Sequence, residues 1–121
     1  MLATLRVDRR PDVYTYVAVD VPTPGLLAAA AAMVDEGELT TLVVPVEAAT
    51  RAGLPVVIEL AWLTLAVHSS LDAVGLTAAV SGRLAERNIA CNVLAGYHHD
   101  HLLVPHSRAS DALAALAPDH S

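Results

Sequence analysis

Residues 62–105 read WLTLAVHSSLDAVGLTAAVSGRLAERNIACNVLAGYHHDHLLVP, and the reading of this stretch decides the fold. An apolar strand ends in a small polar loop, His68-Ser69-Ser70, followed by Asp72 and a helix that carries Gly75. A second strand comes next, then a turn crowded with Tyr97, His98, His99, Asp100 and His101, then a third strand that stops at Pro105. Both polar clusters sit at the ends of apolar strands, where a scaffold can hold a loop for binding.

The spacing predicts a helix over Leu71–Arg87. Ala73, Leu76, Thr77, Val80 and Leu84 fall on one face, and Arg83, Glu86 and Arg87 on the other. Ser69, Ser70 and Asp72 are candidate N-caps, because each side chain can accept from the orphan amides of the first turn. Asn88 can take the left-handed conformation that stops the helix. Ile89–Gly96 reads as a strand with Ile89, Cys91, Val93 and Ala95 on one face.

Working outward, the alternation in Tyr14–Val21 marks a strand, stopped by Pro22 and Pro24. Leu2, Leu5 and Val7 suit a short edge strand. The Ala-rich run Gly25–Val34 predicts a helix closed by Gly37 in a left-handed cap. Leu39–Val44 is a strand, and Pro45–Ala52 a short helix ended by Gly53. Val56–Val67, broken only by Glu59, predicts one long bent strand, or two strands fused, at the centre of a sheet. Leu42-Val43-Val44-Pro45 and its Ala-bearing helix echo Leu102-Leu103-Val104-Pro105 and Ala109, Ala112, which suggests two related halves.

The order of elements suits an α+β sandwich of the ferredoxin-like kind, an antiparallel sheet with helices on one face. The second half supplies β-α-β-β-α, which lacks a last edge strand. An open edge is a pairing hazard, so shared halves and a homodimer are expected.

Composition narrows the functions. The chain has 121 residues, the size of one compact unit, with 55% hydrophobic residues and no Phe. Thirteen acidic residues stand against seven arginines, and Lys is absent, so no nucleic-acid or anionic membrane surface is expected. The single Cys91 forms no internal disulfide and reads as a small buried hydrophobe, which suits the cytoplasm. The N-terminus has no signal-peptide pattern, and no apolar run is long enough to span a bilayer. Walker A, G-x-G-x-x-G, H-E-x-x-H and G-x-S-x-G patterns are absent, so neither a cofactor nor a catalytic mechanism is expected.

HSSLDAVGLTAAV, the AERNIACNV that follows, and GYHHDHLLVP resemble the small proteins of the ACT-domain superfamily, in its tandem branch. Trp62-Leu63-Thr64-Leu65 fits the same pattern, which extends more loosely over Tyr14–Gly53. The resemblance implies two ACT-like halves, residues 13–60 and 61–117, within one unit of 1–121. It also implies a non-catalytic regulatory module that binds a small molecule, with an amino acid the expected ligand. The ligand would lie at the loop between the first strand and first helix, here His68, Ser69, Ser70, Leu71, Asp72, Val74, Gly75 and Leu76. Asn92, Tyr97, His98 and His99 would add polar contacts.

The residues themselves leave alternatives. The helix start suits a carboxylate, because its free amides carry positive partial charge; Gly75 otherwise serves packing alone. Asn92, inside an apolar strand, reads as a buried amide that fixes the adjacent loop or touches ligand. Trp62 reads as a core or interface anchor. His68, His99, His101 and Asp100 could instead form a zinc-type site if three or four converge, or the turn could be a polar hairpin bonded to itself. A structural protein-interaction module is the remaining reading.

Overall fold

The computed structural model describes residues 5–66 and 75–117. Strand β1 (Arg6–Arg9) opens it. Strand β2 (Tyr14–Val19), helix α1 (Pro24–Ala29), strands β3 (Ala32–Asp35) and β4 (Thr40–Pro45) and helix α2 (Val46–Arg51) follow. Then come β5 (Leu60–Ala66), α3 (Leu76–Glu86), β6 (Asn92–Ala95), β7 (Asp100–Pro105), a 3₁₀ turn at His106–Arg108, and α4 (Ala109–Leu116).

The chain divides into two units, and one is inserted in the other. Residues 12–60 form the inserted unit; residues 1–11 and 61–121 form the outer one. Each carries a βαββα run, the ferredoxin-like arrangement expected. In the inserted unit β4 lies between β3 and β2, antiparallel to both. Val17, Leu42 and Val44 on one sheet face pack with Leu26 of α1 and Ala49 of α2. In the outer unit the strand order is β1-β5-β7-β6. Strand β1 pairs antiparallel with β5 from Arg6–Ala66 to Arg9–Leu63, so the N-terminal segment supplies the edge that the C-terminal run lacks.

Alternation along the outer strands sorts their residues. Leu63 and Leu65 of β5 and Leu102 and Val104 of β7 join Leu76, Val80 and Leu84 of α3 and Ala112 and Leu116 of α4 in one core. Trp62, Thr64, His101 and Leu103 occupy the alternate positions, on the face away from the helices.

Four elements differ from the sequence reading. The Ala-rich run does not continue as a helix: α1 ends at Ala29, and Ala32–Asp35 pairs with Val43–Thr40 as β3. Pairing with a buried strand outweighs the modest helix preference of Ala and Met there. Gly37, at φ 90°, consequently turns the β3–β4 hairpin and caps no helix. The long strand begins at Leu60, leaving residues 54–59 irregular. Strand β6 begins at Asn92, three residues after Ile89. The first turn expected for α3, residues 71–74, lies outside the described residues.

Asn88 does adopt the left-handed conformation, at φ 59°. Its amide bonds the Ala85 carbonyl at 2.9 Å, and the Ile89 amide bonds that of Leu84 at 2.9 Å, which closes the helix end. Asn88→Ala is expected to cost about 1 kcal/mol, since alanine tolerates this conformation poorly. Asn88→Gly should cost nothing. Urea unfolding of the two variants distinguishes them.

Candidate ligand-binding site

Helix α3 and the β6–β7 hairpin meet at one end of the outer unit. Asp100, the first residue of β7, lies cross-strand from Ala95, on the sheet face that the helices cover. Its Oδ2 accepts from the Thr77 hydroxyl at 3.4 Å, which sets a carboxylate beside the first turn of α3. The turn joining β6 and β7 is tight: the Gly96 amide bonds the His99 carbonyl at 2.9 Å. A Cβ on Gly96 would lie 2.7 Å from that carbonyl oxygen, so only glycine fits.

Of the twelve residues proposed from sequence, His68, Ser69, Ser70, Leu71, Asp72 and Val74 lie outside the described residues. Gly75 stands exposed just before α3. Leu76 is buried in the core, where it packs with Val80 and Leu84. Tyr97, His98 and His99 are exposed at the hairpin tip, with the Tyr97 and His98 rings edge to face at 4.8 Å. Asn92 is exposed, contrary to the buried amide expected from its apolar neighbours. It pairs with Leu103, on the face away from the helices, so the structure does not bring it to α3.

His101 is half-buried on that opposite face, in a cluster the sequence did not reveal. The Trp62 indole N–H donates to Thr64 Oγ1 at 3.2 Å and lies 3.3 Å from His101 Nδ1. Thr64 Oγ1 is 3.0 Å from the same nitrogen. The indole N–H only donates, and the direction of the Thr64–His101 hydrogen bond follows the imidazole tautomer. The Arg10 guanidinium lies 4.3 Å above the Trp62 ring. Burial, then the charges of Arg10 and His99, hold the His101 imidazole below its ordinary range, and Asp100 partly opposes them. Burial likewise pushes the Cys91 thiol up.

A histidine whose folded pKa is lowered keeps its full contribution to stability above the unfolded value, near 6.5. The contribution is lost as pH falls from there through the lower folded pKa. Between pH 8 and pH 5, His101→Asn should therefore lose less stability than the parent protein, as read from urea midpoints.

Among the described residues no three of His, Cys, Asp and Glu converge on a metal-sized site. His101 faces Trp62 while His98 and His99 face outward. No helix among the described residues is long and apolar enough to cross a membrane.

The ACT domain family matches residues 57–118, half of the chain, and covers the whole of this site. The chain belongs to the ACT-domain family. This ACT-domain chain is 39% identical to a protein of unknown function from Vibrio cholerae, described as a possible transport protein. That match covers 95% of this chain and 89% of the other, with a TM-score of 0.85. An Agrobacterium tumefaciens protein shares its fold at 14% identity, TM-score 0.75, over 93% of this chain and 86% of that one. The regulatory subunit of aspartate kinase from Thermus thermophilus does so at 14% identity, TM-score 0.64, over 96% of both chains. No curated protein matches the sequence. The two more distant likenesses establish the fold of the ACT-domain chain across both of its units.

Proposed function

We propose that the chain is a non-catalytic regulatory module that binds an amino acid where α3 begins. The observation that carries this reading is Asp100 beside the first turn of α3, held there by Thr77. An α-helix of eleven residues begins at Leu76, with Gly75 before it in 3₁₀ geometry, and the amides at a helix start carry positive partial charge. They attract a carboxylate, and the Asp100 carboxylate attracts an ammonium group. An α-amino acid carries both charges a few ångströms apart. In this reading Gly75 lies on the carboxylate side. His99, next in sequence to Asp100, lies on the ammonium side, with Tyr97 and His98 at the rim. Membership of the ACT-domain family and the fold shared with an aspartate kinase regulatory subunit support a regulatory role. The same reading has a cytoplasmic homodimer, for which β3 and β6, the outer strands of their units, offer edges to pair.

A thermal-shift screen of the twenty amino acids on untagged protein tests the reading. A ligand at about 100 times its Kd stabilises the native state by about 2.7 kcal/mol. One amino acid should raise the melting temperature. Asp100→Asn should weaken its binding at least about tenfold, the loss of a charge-assisted contact. Gly75→Leu should also weaken binding while leaving unfolding little changed. A screen with no shift, or an Asp100→Asn variant that binds like the parent, would sink the proposal.

A further inference from the structure

We propose that Val56–Glu59 is a strap with two positions: the one seen here, which leaves a groove beside β2, and one zipped onto the β2 edge, which closes it. The ladder between β2 and the segment leading into β5 consists of one pair, Tyr14 with Leu60. Antiparallel pairing advances one residue on each strand per step. Continued in that register, Glu59 would lie opposite Thr15, Ile58 opposite Tyr16, Val57 opposite Val17 and Val56 opposite Ala18. Instead the chain leaves the ladder, and residues 54–59 have no regular structure. A groove of about 350 Å³ remains, lined chiefly by Tyr16, Val17, Ala18, Leu54, Pro55 and Val57.

The strap is built to close. Val56, Val57 and Ile58 are consecutive β-branched residues, which favour strand. Val57 and Ile58 are 87% and 43% exposed, and zipping would bury Val57 while turning Val56 outward. Pro55 stands where the added pairing would end, so its missing N–H costs nothing there. In the open position Val56 packs on the core that contains Val17. In the continued register Val57 takes that face and Val56 turns to the other, since neighbours on a strand alternate. One valine replaces another at the same core, so burial there is similar in both positions. Two packings of similar energy are what a bistable element requires. The inference concerns the inserted unit alone and does not depend on the amino-acid site.

Cysteine trapping tests it in the full chain with Cys91→Ser. Val17→Cys with Val57→Cys is the in-register pair; Val17→Cys with Ile58→Cys is the out-of-register control. A disulfide requires Cα atoms within about 7 Å, and trapping accumulates a closed form even when it is visited briefly. Under mild oxidation the in-register pair should lose its free thiols at least about tenfold faster than the control, a difference of about 1.4 kcal/mol in activation free energy. Thiols that stay reduced, or equal rates for the two pairs, would overturn the proposal. If circular dichroism shows that a cysteine at Val17 disturbs the fold, Ala18→Cys with Val56→Cys against Ala18→Cys with Val57→Cys gives the same decision.

Discussion

Deleting residues 1–10 should abolish cooperative unfolding of the outer unit, although the elements it disturbs lie more than fifty positions away in sequence. Strand β1 covers the β5 edge over Leu63–Ala66. Leu5 is buried in the outer core, and Val7 packs against it. Full burial of one aliphatic side chain is worth about 1.5–3 kcal/mol. Leu5, the covered part of Val7 and a four-residue ladder together make a sizeable share of the roughly 5–15 kcal/mol that holds a domain folded. The bared β5 edge would also recruit other chains. Trp62, the only tryptophan, sits on β5 and reports the change directly by fluorescence in urea. A truncated protein that kept the parent midpoint to within about 0.5 M urea would contradict the role given to β1.

Leu102→Ala should destabilise the chain by about 3 kcal/mol, the middle of the range for truncating a buried leucine. Leu102 has no exposed surface and lies on β7, which runs between β5 and β6. Its neighbours come from two strands and the two outer helices, so collapse into the cavity is hindered. Val93, its cross-strand partner, is 37% exposed, and Val93→Ala should cost less than about 1 kcal/mol. The pair is a controlled comparison, with the same ladder position and opposite burial. Equal losses in urea unfolding would mean that burial does not govern stability here.

Much of the fold was legible because buried strands and capped helices leave local signals. The echo of Leu42–Pro45 in Leu102–Pro105 proves structural: β4 and β7 share one burial pattern, each ends at proline, and each leads into a helix. Asn88 was legible for the same reason, since few residues tolerate its conformation. Strand β3 was not legible. Ala32 and Met33 carry no strand signal, and what makes them a strand is β4 alongside them. The N-terminal edge strand was legible from Leu5 and Val7, but its partner was not, because β1 and β5 are far apart in sequence. At the candidate site, chemistry was easier to read than direction. The residues of the Tyr97–His101 turn announce themselves, yet only the ladder shows that Asp100 faces α3 while His101 faces Trp62 and Thr64. Arg10 could not have been found by spacing, since the whole inserted unit separates it in sequence from Trp62.

Nesting one unit inside the other sets an order of assembly. Strand β1 is made first but has no partner until β5 exists, and the whole inserted unit stands between them. Closing a flexible loop of that length carries an entropy cost that grows with the logarithm of its length. Pairing of Tyr14 with Leu60 removes most of that cost, because folding residues 12–60 brings their two ends side by side. From then on, the sequence-distant ladder between β1 and β5 forms with the entropy of a short turn. The insertion thus works as a clasp, converting the slowest kind of contact in the chain into a local one.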